Sequence, residues 1–140
     1  MSVCETGIRS RSPFIPTRRG PRVPGLRMGI WARPLRAPIE DGFAVDTGCD
    51  YDLVLAQPLR DRLRAAGVPV SGASMSWGAR LPAERYVVRV LVGGLWKKAE
   101  AFFPVWPRVD ENLVGLPLLR FEAICIRPRA CETWVGRALG

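Results

Sequence analysis

Asp46-Thr47-Gly48, entered from the apolar run Gly42-Phe43-Ala44-Val45, is the triplet whose residue types and spacing could do hydrolytic chemistry. An isolated aspartate titrates near 4 and is a weak base at neutral pH. Two carboxylates forced together cannot both ionise easily, so they share a proton and offer one base and one acid at once. The base takes a proton from water, the water attacks an amide carbonyl, and the acid polarises the carbonyl oxygen. A threonine hydroxyl can hold such a loop. A glycine lets backbones approach closely and leaves its N–H to orient the carboxylate. One triplet cannot make a dyad, but a twofold axis brings the same residue from two subunits face to face, so the chemistry predicts a homodimer. The plainer alternative is an ordinary turn aspartate.

Composition narrows the other options. The chain has no histidine, which removes Ser-His-Asp and Cys-His catalysis together with every histidine base. Its four cysteines, Cys4, Cys49, Cys125 and Cys131, include no Cys-x-x-Cys pair, so neither a metal nor any other cofactor is expected. Cys125 and Cys131 could approach each other, with the reduced state expected in a cytoplasm. Cys49 reads as a small packed residue or, alternatively, an oxidation switch.

The elements that must position Asp46 read as mainly β. The expected strands are 29–32, 42–45, 53–55, 85–92, 95–105, 113–115, 123–126 and 133–135. Asp46 thus falls where a buried strand ends and a loop begins. Residues 58–66 read as one clear helix: Pro58 fits the first turn, Leu59, Leu63 and Ala66 share a face, and Gly67 stops it. Residues 117–121 read as a short C-terminal helical turn. Residues 71–80 read as an exposed hairpin carrying Trp77 and Gly78.

The formal net charge is +8, of which +7 lies in residues 1–38. Residues 1–25, rich in Pro and Arg, read as a flexible basic arm, and 26–140 as the folded domain. Met28 is an alternative start. The arm is either a solvated extension or a loose contact for nucleic acid or membrane. Its deletion is expected to leave folding intact. No apolar run is long enough to span a bilayer and no apolar leader opens the chain, so a cytoplasmic protein without a membrane partner is expected. Trp96, Phe102, Phe103 and Trp106 read as core or dimer surface, so no nucleic-acid partner is expected of them.

Two segments together, Phe43-Ala44-Val45-Asp46-Thr47-Gly48 and Asn112-Leu113-Val114-Gly115-Leu116-Pro117-Leu118-Leu119, resemble the retropepsin-like aspartic peptidases, above all the small bacterial, single-lobe homodimeric members. The resemblance covers roughly residues 26–127. It implies a closed acid-protease barrel half, an aspartic endopeptidase activity, and Asp46 as the catalytic aspartate. Thr47 would bond across the dimer and Gly48 would be the loop glycine. Val114 and Gly115 would support the catalytic loop. The hairpin of Trp77 and Gly78 would be a flap over an extended peptide substrate, with Trp77 either touching substrate or merely anchoring the hairpin. Departures from the family pattern are Cys49, a flap poor in glycine, and Leu116 where an arginine would pair with Asp50. Tyr51 and Asp52 would reshape the first substrate pocket. The alternative function is a dimeric binding scaffold of the same fold without turnover.

Overall fold

The computed structural model describes residues 8–18, 20–120 and 122–137. Twelve elements follow in order: β1 (Ile8–Pro13), β2 (Gly25–Trp31), β3 (Ile39–Asp46), β4 (Leu53–Val54), α1 (Gln57–Ala65), β5 (Ser71–Trp77), β6 (Ala79–Val92), β7 (Leu95–Pro104), β8 (Leu113–Gly115), α2 (Leu116–Leu119), β9 (Glu122–Arg127) and β10 (Glu132–Arg137). The expected class holds: mainly β, with one clear helix and one short helix near the C-terminus.

Seven strands form one sheet in the order β2-β3-β8-β4-β7-β6-β5, and a further β2–β6 pairing closes it into a barrel that leaves β5 outside the closure. Alternation fills the interior. Leu26, Met28 and Ile30 on β2, and Tyr86, Val88, Val90 and Val92 on β6, point inward with Phe43, Leu53, Ala101, Phe103 and Val114. Leu59 and Leu63 bring α1 onto this core. A second apolar cluster, Cys49, Val54, Met75, Ala83 and Phe102, lies under the β5–β6 hairpin, so β4 and β7 are covered on both faces where they approach Asp46.

The helix is fastened by polar contacts as well. Arg60 of α1 grips Glu84 of β6 through two hydrogen bonds of 2.7 and 2.8 Å, Arg64 adds one of 3.1 Å, and the buried Tyr86 hydroxyl donates to Glu84 at 2.8 Å. Arg60 also lies 4.6 Å over the Phe103 ring. The arginine holds the Glu84 carboxyl down at about 2, while burial and then Glu84 push the Tyr86 phenol up to about 12. In the sequence these arginines read only as the outer faces of a helix.

The N-terminal segment departs from expectation. From Ile8 onward it is not a free arm: β1 pairs with β10, which pairs with β9, in a separate three-stranded sheet. Phe14 and Ile15 are buried, and Ile15 forms a bridge with Val23. Ser12 Oγ accepts from the Arg27 N–H at 3.1 Å, and the Val45 N–H donates to the Pro24 carbonyl at 3.0 Å. The physical reason is that β1, reading Ile-Arg-Ser-Arg-Ser-Pro, is held by ladder bonds and by Arg11 stacked 4.5 Å over Trp134, neither of which leaves an apolar period. Residues 1–7 of the expected arm lie outside the described residues. Cys125 is disulfide-bonded whereas Cys131 is free, so the pairing of those two does not form, and Cys125 is not the reduced thiol expected.

Candidate active site

Asp46 is the last residue of β3, and its position follows from an unusual weave. β8 lies between β3 and β4, parallel to the first and antiparallel to the second. The chain leaving β3 at Asp46 must therefore turn around the end of β8 to enter β4 at Leu53. Val45 is paired with Val114 and Asp46 with Gly115. Val114 is fully buried, so β8 is the floor on which the loop rests.

Gly115 is where loop and floor meet. A Cβ there would overlap the Tyr51 carbonyl oxygen and come within 2.8 Å of the Cys49 carbonyl oxygen. With no side chain in the way, the Gly115 N–H reaches the Asp52 carbonyl at 2.9 Å and the Leu116 N–H reaches the Cys49 carbonyl at 3.1 Å. Inside the loop, the Gly48 N–H donates to Asp46 Oδ1 at 3.1 Å and the Cys49 N–H to the Asp46 carbonyl at 3.1 Å. The carboxylate is thus oriented by the backbone and remains partly accessible. Thr47 is exposed, and its hydroxyl makes no hydrogen bond among the described residues.

Side chains around the loop complete the frame. Asn112 is buried. Its Oδ1 accepts from the Ala56 N–H at 2.8 Å, its Nδ2 donates to the Gly42 carbonyl at 3.0 Å, and its own carbonyl accepts from the Ala44 N–H at 2.8 Å. One residue thereby ties β3 to the start of α1. Asp52 Oδ2 accepts from the Glu100 N–H at 3.0 Å, fixing the loop exit to β7. Asp50 is exposed and enters no ion pair among the described residues, in keeping with leucine at position 116.

Tyr51 links the loop to the hairpin. Its hydroxyl accepts from the Ser76 N–H at 2.6 Å, and its ring packs 4.9 Å from Phe102. Met75, next along β5, is wholly buried in the cluster that holds Cys49. Trp77 and Gly78 form the tip just beyond, where Trp77 pairs with Ala79 and Gly78 turns with a φ of +70° that suits glycine. Trp77 is partly exposed. Burial pushes the Cys49 thiol above its ordinary range, and the negative charges of Asp46 and Asp50 act in the same direction. Cys49 is accordingly a packed, protonated thiol.

Of the residues singled out by sequence, Asp46, Thr47, Gly48, Val114 and Gly115 thus meet at one loop, with Trp77 and Gly78 on the hairpin that Tyr51 ties to it. The sequence marked Tyr51 and Asp52 only as residues that would reshape a substrate pocket, and it did not foresee their bonds to β5 and β7 or the bonds made by Asn112. A polar residue beginning the Asn112–Gly115 run was the visible signal for the last. Nothing near Tyr51 in the sequence pointed to its partner, the Ser76 N–H on β5. No cluster of potential metal ligands occurs among the described residues.

No family model matches the chain, and no curated protein matches it. Among solved structures it is similar to the EIAV protease complexed with the inhibitor HBY-793, with a TM-score of 0.49 and 15% identity over 74% of this chain and 91% of that one.

Proposed function

We propose that the chain is an aspartic endopeptidase whose dyad forms when two copies bring their Asp46 side chains together. The observation that carries this reading is the loop folded around the end of β8, with a backbone-oriented and accessible Asp46 carboxylate above Gly115. Cys49 and Tyr51 anchor the turn in the second apolar cluster, whereas Asp46 and Thr47 belong to neither cluster, so packing alone does not account for those two residues.

In the assembled dyad one carboxylate takes the proton of a water that attacks the scissile carbonyl, and the protonated partner polarises the carbonyl oxygen. The Gly48 N–H keeps each carboxylate aimed. Thr47, whose hydroxyl has no partner among the described residues, is free to bond across the twofold axis. The Trp77–Gly78 hairpin acts as the flap over an extended peptide, which it meets through strand-like hydrogen bonds. Val114 and Gly115 support the loop, and no cofactor takes part.

The test is cleavage of a mixed peptide library by the full chain on the acid side of neutrality, run beside light scattering. Cleavage by a species of twice 15.5 kDa supports the reading. Cleavage by a strict monomer overturns the shared dyad. A dimer that cleaves nothing at any pH makes the chain a binding scaffold of this fold instead.

A further inference from the structure

The outward face of β2, β6 and β7 carries two tryptophans beside basic residues. Register places Trp31, Arg89 and Lys98 in one row across the three strands, and Gly29, Leu91 and Trp96 in the next. Arg89 and Lys98 are therefore direct cross-strand partners of like charge, an arrangement that weakens a sheet. Arg33 and Arg89 form no ion pair among the described residues. Lys98 acts on Glu100 only through space, because Glu100 is engaged by Arg85 at 2.8 Å. Glu40, beside the face, is paired with Arg27.

Two depressions open on this face. One of about 450 Å³ is lined by Trp31, Arg33, Val87, Arg89 and Lys98 among others. A second, of about 390 Å³, lies between Trp31, Pro38, Arg89 and Trp96. Both include Trp31 and Arg89. The Trp31 indole is fixed by a 3.0 Å hydrogen bond from Nε1 to the Leu35 carbonyl. Trp96 is 45% exposed, and a Cβ on Gly29 would stand 3.7 Å from its Cη2, so its ring lies along β2 where no side chain intervenes.

We infer that this face binds single-stranded nucleic acid, with bases against Trp31 and Trp96 and phosphates against Arg33, Arg89 and Lys98. Charge complementarity demands an anion, and the two indoles select its kind. An acidic peptide would satisfy the cations and leave both rings unused. A duplex keeps its bases stacked inside. A single strand offers an unstacked π-face and a phosphate at every step, which is the pairing of chemistries that aromatic and cationic grooves exploit. The inference reverses the expectation for Trp96 and is independent of Asp46.

Fluorescence anisotropy of a labelled oligothymidylate of about twelve nucleotides with the full chain tests it. Binding should weaken with added salt, as counterion release requires. Trp96→Ala should weaken it about tenfold by removing one stacking platform. Arg89→Glu and Lys98→Glu should weaken it at least as much and flatten the salt dependence. Arg89→Glu sets opposite charges across the strands, so its fold should survive, and a thermal melt checks each variant. Absence of binding overturns the inference. So does binding that all three substitutions leave unchanged, which would assign it to the N-terminal arginines. Displacement by polyglutamate or by duplex as readily as by unlabelled single strand also overturns it, since the face would then read charge alone.

Discussion

Asp46 and Gly115 are register partners in the parallel β3–β8 pair, and the backbone that follows Asp46 comes back directly over Gly115. The residue that presents the carboxylate and the residue that admits the loop are thus neighbours in space although distant in sequence. Their coupling yields the sharpest steric prediction. Gly115→Ala must push away the Tyr51 carbonyl, which is backbone and cannot rotate aside. We expect a loss of about 3 kcal/mol, typical of severe overpacking, seen as a lowered urea midpoint. On the proposed reading any dimer that survives should cleave no peptide, because displacing the Tyr51 and Cys49 carbonyls shifts the loop that orients Asp46.

A single phenol ties the tip of the hairpin to the candidate loop. Tyr51→Phe removes the acceptor of the Ser76 N–H and keeps the ring against Phe102. The expected cost is about 1 kcal/mol, the usual worth of one hydrogen bond. The local effect should exceed the global one, with the Ser76 amide exchanging with solvent much faster while the Val88 and Val90 amides of the barrel keep their protection. Unchanged exchange at Ser76 would mean that the Met75 packing alone holds the hairpin down.

Glu84 makes stability depend on acid. Its carboxyl is held at about 2, below the ordinary value of 4.5, chiefly by the Arg60 hydrogen bonds. A depressed carboxylate contributes its full stabilisation above the unfolded value and loses it as pH falls toward the folded one. A shift of this size corresponds to about 3 kcal/mol if fully expressed. Water reaches part of the pair, which cuts the figure to about 1–2 kcal/mol. Glu84→Gln should therefore lower stability at pH 7, and the gap between variant and parent should narrow between pH 4.5 and pH 2. A gap that stays constant with pH would place the contribution in packing.

Much of this fold was legible because its strands alternate and its breaks are chemical. Leu113–Gly115 matches its strand to the residue, and Pro58 and Gly67 bracket α1 within a residue or two of its ends. Asp-Thr-Gly alone is a weak signal, and the candidate loop was legible because a second segment, Asn112–Gly115, follows it in the order and at the distance that a supporting strand requires. What escaped was held by partners far along the chain. Asn112 meets Ala56 and Gly42, Arg60 meets Glu84, and β1 meets β10 across nearly the whole sequence. No periodicity within a window reports such contacts, and Ser12 is buried without being apolar.

The N-terminal segment supplies a prediction opposite to the one its composition suggests. Ile15 is buried, and the residues around it bond to β2, β3 and the turn before β10. Deleting residues 1–25 would strip β1 from its sheet and leave Thr133 without the Gly25 N–H that donates to its hydroxyl. The truncated chain should be aggregated or unfolded by circular dichroism. The milder Ile15→Ala should cost about 2–4 kcal/mol, the range for emptying a buried aliphatic site. Native melting of the truncated chain would return the segment to the status of a dispensable arm.

Asp46→Asn separates chemistry from architecture. Asparagine keeps the size of the side chain and an oxygen that can accept from the Gly48 N–H, so the turn around β8 should remain as built. In an assembled dimer the substitution also removes two carboxylates that would repel at close range, so the melting temperature should equal or exceed that of the parent. Turnover should vanish, because an amide cannot take the proton of the attacking water. On the proposed reading peptide binding should persist, since the Trp77–Gly78 hairpin and the loop floor are untouched. The paired measurement is thermal melting beside library cleavage, with peptide binding followed through the fluorescence of Trp77 against a Trp77→Phe control. Full cleavage by Asp46→Asn would remove Asp46 from the chemistry. Loss of folding would make Asp46 a structural turn residue, the plainer of the two readings its sequence allows.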